Sequence, residues 1–136
     1  QAYLKASNAD NGDWFGWSVA VAGDTVVVGA VGEDSSSTGV DSTPNESASG
    51  AGAAYVFARS GVIWSQQAYL KASNADYGDR FGSSVAASGD TIVLGARLED
   101  SSTTVVDSTP NNSADDAGAA YVFTIRSQAL FSDSFE

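Results

Sequence analysis

The residues best equipped for chemistry in this chain are acidic. Two adjacent carboxylate pairs, Glu33-Asp34 and Glu99-Asp100, are of the types that glycosidases use as acid and base. Neighbours on a strand point apart, whereas a working acid and base must flank one bond, so the spacing argues against catalysis. The many serines find no activating base. There is no His and no Cys, which removes Ser-His-Asp and Cys-His nucleophiles, Cys/His zinc sites and disulfides. Lys5 and Lys71 are expected on the polar faces of exposed outer strands. A second acidic cluster, Asn8 to Asp13 with its counterpart Asn74 to Asp79, offers Asp10, Asp13, Asp76 and Asp79 as calcium ligands. Gly12 falls where a third ligand belongs, leaving the cluster short of the roughly six to eight oxygens calcium takes. The plainer reading is a turn braced by Asp side chains. Trp14 and Trp17 could stack on a sugar, but Arg80 and Ser83 replace them in the second cluster, and packing at an interface is the alternative.

Composition narrows the partners. The 136 residues carry 6 Lys and Arg against 17 Asp and Glu, a net charge of −11. Such a field repels phosphate backbones and anionic membranes, so neither nucleic acid nor membrane insertion is expected. No apolar run approaches the ~18 residues that cross a bilayer. No cofactor is called for.

The elements that position these residues come from a repeat. QAYLKASNAD stands at Gln1–Asp10 and again at Gln67–Asp76, 66 residues on. Without a gap, 43 of the 57 positions in 1–57 match their counterparts in 67–123. A period of this size suits a four-stranded blade with one long loop. Phe15–Ala22 alternates large and small, with Phe15, Trp17, Val19 and Val21 on one face and Gly16, Ser18, Ala20 and Ala22 on the other. A face of Gly, Ser and Ala permits close approach of another backbone, and valine at Gly16 is expected to crowd it. Gly23-Asp24 marks a turn, and Thr25–Ala30, Ala53–Ala58 and a stretch from Val62–Trp64 into Ala68–Ala72 complete four strands. The connection from Gly32 to Gly50, copied at Leu98–Asp116, exceeds the usual loop length. Its polar residues, Glu33, Asp34, Asp41 and Asn45 with counterparts Glu99, Asp100, Asp107 and Asn111, could meet a protein, a glycan or a cation, or form a solvated acidic loop. Asn45 and Asn111 also open N-x-S sequons.

Phe15-Gly16 and Phe81-Gly82, then Val28–Ala30 and Leu94–Ala96, then GAAYVF at Gly52–Phe57 and Gly118–Phe123, resemble the FG-GAP repeat. The resemblance implies an all-β fold of two four-stranded antiparallel β-propeller blades, an incomplete propeller over 1–126 (copies 1–66 and 67–126) with a tail at 127–136. It further implies a non-enzymatic binding or adhesion module, secreted or on a bacterial cell surface. A structural or self-assembling repeat is the alternative, and a calcium-dependent carbohydrate binder or hydrolase a remote one. The connection that carries calcium in integrin-type repeats is here the two residues Gly23-Asp24 or Gly89-Asp90, so that site does not carry over. By strand count, Ala2–Ala6 is an unattached fourth strand and the second blade lacks its own. A neighbouring blade or chain is therefore expected to supply the missing strand, the alternative being that the chain is the terminal piece of a longer propeller, with Leu130, Phe131 and Phe135 of the tail packing on the open edge.

Overall fold

In the computed structural model, which describes residues 1–126 and 129–132, two antiparallel sheets follow one another along the chain. Strands β1 (Phe15–Ala22), β2 (Thr25–Ala30), β3 (Ala53–Ser60) and β4 (Ile63–Leu70) form the first in consecutive order. Strands β5 (Phe81–Ser88), β6 (Thr91–Ala96), β7 (Ala119–Arg126) and β8 (Ala129–Ser132) form the second. The described residues do not close a ring.

Local sequence accounts for the meander. Gly23, with φ 57, and Asp24 make the tight turn between β1 and β2, and Gly61 with φ 63 makes the one between β3 and β4. The alternating β1 and the apolar β2 lie where the residue pattern puts them, while the two pieces expected for the fourth strand are one strand. Its register slips between Val56 and Phe57, which leaves Gln67 as an extra residue in β4. A second irregularity between Phe15 and Ser18 opens the β1–β2 ladder where Gly16 adopts φ 98.

The two sheets stack face to face, and the main core lies between them. Val27, Val56 and Leu70 of the first sheet meet Phe81, Ile92 and Leu94 of the second. A smaller core covers the opposite face of the first sheet, where Tyr55, Phe57 and Tyr69 pack with Ala6 and Leu4. Strand β1 turns its small face inward: Ser18 Oγ donates to Gly82 O across the sheets at 2.7 Å. Its large residues Trp17, Val19 and Val21 are exposed.

Three expectations are corrected. Valine at Gly16 meets no crowding, since a Cβ there has nothing within 4 Å, and the cost at that position is its positive φ. Ala2–Ala6 is not a strand; it lies as an irregular segment over the smaller core. The second sheet does have a fourth strand within the chain, because β8 pairs with Phe123–Arg126 of β7. The side chains of Leu130, Phe131 and Phe135 lie outside the described residues.

The close approach falls at Gly29. A Cβ there would lie 2.2 Å from the Gly82 carbonyl oxygen, a backbone atom that cannot turn away. At the equivalent Gly95 the nearest obstacle is the Ser84 hydroxyl at 2.4 Å, which can rotate. Urea denaturation should show Gly29→Ala losing about 2–3 kcal/mol and Gly95→Ala less than about 1. Equal losses would mean that contact between the sheets is not what excludes a side chain.

Candidate functional site

The long connection between β2 and β3 folds back on its own strands through side chains. Glu33 stands at its start, fully buried, and accepts five hydrogen bonds. Its Oε2 accepts from Asn8 Nδ2 at 3.0 Å, Ser35 Oγ at 2.6 Å and Tyr69 Oη at 2.6 Å. Its Oε1 accepts from the Ser35 amide at 3.1 Å and from Lys71 Nζ at 3.0 Å. Lys71 also donates to Gly52 O at 2.5 Å.

Lys71 was expected on an exposed polar face, and its exposure is 0%. Strand alternation places its side chain correctly on the side opposite Leu70. The loop that covers that side begins nearly forty residues earlier and carries the matching carboxylate. Burial by itself would raise the Glu33 pKa; the Lys71 cation and the Ser35 and Tyr69 donors outweigh it and hold the carboxyl below its usual range. Burial of the Tyr69 hydroxyl, and then its bond to Glu33, push that phenol upward, so it remains a donor. A charge pair removed from water in this way holds only while its partners stay in place.

The rest of the loop is braced similarly. Asp34 Oδ1 accepts from the Gly50 amide at 2.7 Å, and Asn45 Oδ1 accepts from Ser36 N at 2.9 Å and Ser47 N at 3.0 Å. Asp41, at φ 55, exchanges bonds with β4: its amide donates to Tyr69 O at 2.7 Å and its Oδ1 accepts from Tyr69 N at 2.9 Å. Val40 bridges to Leu70, and the Lys71 amide donates to Gly39 O at 2.9 Å. The end of β4 therefore lies in a slot between β3 and the loop, with hydrogen bonds on both edges.

The second copy repeats the braces without that insert. Glu99 accepts from Asn74 Nδ2 at 2.8 Å, Ser101 N at 3.0 Å and Ser101 Oγ at 2.6 Å. Asp100 caps the Asp116 amide at 2.7 Å, and Asn111 Oδ1 accepts from Ser102 N and Ser113 N at 3.0 Å each. Asp107 keeps the matching φ of 58. Yet Glu99 has no cation among the described residues, and a groove of about 600 Å³ runs past Glu99, Val106, Asp107, Ala120 and Tyr121.

The acidic turns resolve as local structure. Asp13 Oδ2 accepts from the Asp10 amide at 3.1 Å, and Asp10 Oδ1 from the Asn11 amide at 2.7 Å. Asp76 Oδ1 accepts from the Tyr77 amide at 2.8 Å. Among the described residues no cluster of acidic side chains is arranged to hold a metal ion. Burial, and then nearby carboxylates, push Asp13 up to about 6 and Asp79 up to about 7. Trp14 and Trp17 stack at 5.7 Å and remain exposed, with the Arg80 guanidinium 5.8 Å from the Trp14 ring.

Two antiparallel sheets, one to each copy of the repeat, are what the repeat pattern implied. A model of the FG-GAP repeat matches residues 1–57 and 64–123. The chain belongs to the FG-GAP repeat family. A search of curated proteins returns no match. Within each FG-GAP unit the Phe opens the first strand at the bulge, and in the first unit Gly29 of the second strand lets the neighbouring sheet approach.

Sequence reasoning missed the role of the loop carboxylates as braces. The signal was present: Glu33, Ser35 and Asn45 recur at the same spacing as Glu99, Ser101 and Asn111.

Two outcomes test this site. Replacing one partner of the buried pair strands the other, so Lys71→Met should lower unfolding stability by about 3–5 kcal/mol. Lys5→Met, in the identical decapeptide but exposed, should change it by less than about 0.5 kcal/mol. Urea denaturation of the dilute protein measures both, and a loss below about 1 kcal/mol at Lys71 contradicts the assignment. The pH test uses Asp13 and Asp79, whose folded pKa values lie above the ordinary 3.8. The folded state then binds more protons than the unfolded chain between about pH 4 and 7, so their contribution to stability falls as pH rises. Melting of Asp13→Asn and Asp79→Asn should show a gain over the parent that grows from pH 4 to 8, on the order of 2 kcal/mol each. A gain independent of pH contradicts it.

Proposed function

We propose that this FG-GAP unit is a non-catalytic binding module acting outside the cell, on a bacterial surface or as a secreted protein, with its braced loops facing a protein or glycan partner. The observation that carries the reading is that both long loops are built structures rather than slack connections. Each is held by an Asn side chain accepting from two or more backbone amides. Both also sit at the same end of the stacked sheets as the acidic turns: Gly78 N donates to Ser49 O, and Asn112 Nδ2 to Asp76 Oδ2 at 2.7 Å. That end concentrates negative charge. Glu46 is held above its usual pKa by desolvation and then by Asp10, Asp34 and Glu33. A partner meeting this end would present basic or hydroxyl-rich groups. The carboxylates that looked catalytic serve as acceptors for backbone and side-chain donors, which leaves them in structural roles. The alternative, a self-assembling repeat, is favoured by a different observation, the open groove beside β7.

The test is a glycan array together with a panel of basic proteins at low and high salt, comparing the intact chain with Asn45→Ala/Asn111→Ala. Unbracing the loops should weaken whatever binding the intact chain shows by about tenfold or more, since ordering them would then oppose binding. Binding that the double variant retains in full contradicts the loop assignment, and silence on both panels contradicts the binding role.

A further inference from the structure

The groove in the second sheet is lined by the counterparts of residues that, in the first sheet, enclose a strand. In the first sheet, the slot between β3 and the loop holds Ala68, Tyr69, Leu70 and Lys71. In the second, β8 pairs with β7 only along Phe123–Arg126. Among the described residues, the stretch of β7 that corresponds to the occupied slot, Ala120–Val122, has no strand on its outer edge. The slot is otherwise intact. Glu99 is 2% exposed, with the same Ser and Asn donors as Glu33 but neither the Tyr hydroxyl nor the Lys ammonium. Val106, the counterpart of the packed Val40, is 90% exposed.

The chain carries a second copy of the missing insert. Gln1–Asp10 is identical to Gln67–Asp76. Tyr3 is 87% exposed, and Lys5 is exposed and without an ion pair among the described residues. No backbone ladder holds this segment.

We infer that Ala2–Lys5 of a second copy of this chain inserts along Ala120–Val122, placing Lys5 on Glu99 and the Tyr3 hydroxyl beside it. Register follows from the occupied slot: Ala2 lies opposite Val122, Tyr3 opposite Tyr121 and Leu4 opposite Ala120. Asp107 then receives the Tyr3 amide as Asp41 receives that of Tyr69. The same move brings two apolar faces together. Val19 and Val21, each 66% exposed, occupy in the first sheet the positions of Val85 and Ala87, which pack into the core between sheets. Val93 and Val122, on the outer face of the second sheet, occupy the positions of the buried Val27 and Val56. The contact between copies therefore repeats the contact within one. It joins unlike surfaces, so it propagates head to tail into a ring or a filament.

Light scattering across a concentration series tests this on the full chain. The parent should pass from 13.9 kDa to multiples of that mass. Lys5→Glu, a change at an exposed side chain, should keep the parent's melting temperature in dilute solution and weaken association by about a hundredfold or more, as a like charge against buried Glu99. A second measurement fixes the register. In a chain free of cysteine, Ala2→Cys/Val122→Cys should give a disulfide-linked ladder under mild oxidation, and Tyr3→Cys/Val122→Cys, shifted to the opposite face, should not. A monomer at every concentration overturns the inference, as does association that Lys5→Glu leaves intact or a ladder formed equally by both cysteine pairs.

Discussion

The contact on which the first sheet depends is one ion pair removed from water, Lys71 against Glu33. An ammonium and a carboxylate placed in a dry interior are costly unless each finds its full set of partners. Glu33 reaches that state through donors from three separated parts of the chain: the turn at Asn8, the loop at Ser35, and β4 with its extension at Tyr69 and Lys71. The pair therefore does more than add attraction. It fixes where β4 ends, which side the loop folds onto, and which carbonyl, that of Gly52, completes the Lys71 shell. Register of a strand with one buried face is already strongly specified, and the charge pair specifies its far end as well.

The same constraint explains the asymmetry of two units that are nearly identical in sequence. The first sheet draws the end of its fourth strand from the segment that opens the second unit. The second unit has no such donor among the described residues, and it retains a complete loop, a buried carboxylate and an open edge. An open edge beside apolar side chains is a liability that natural sheets cover or pair.

Much of the fold was legible because period-two alternation and repeat identity are local signals. β1 and β2 could be read residue by residue from Phe15–Ala22 and Thr25–Ala30. Lys71 was misplaced because alternation reports the side a residue faces and says nothing of what covers that side. Gly16 was assigned to a crowded face because the bulge between Phe15 and Ser18 is invisible to a pattern that assumes a regular strand. The true close approach, Gly29 against Gly82, joins residues 53 positions apart and depends on how the sheets stack. Asn45 and Asn111 read as sequons because a short motif names a modification, whereas their role as loop braces needs the amides that they face.

The identical decapeptides allow the central claim to be measured against an internal control. Tyr69 and Lys71 have the same sequence neighbours as Tyr3 and Lys5, so their unprotected amides exchange with solvent at matching rates. Hydrogen exchange on the dilute monomer then reports the slot alone. The account predicts that the Tyr69 and Lys71 amides, bonded to Asp41 and Gly39, exchange at least about a thousandfold more slowly than those of Tyr3 and Lys5. Equal rates in the two copies would contradict it.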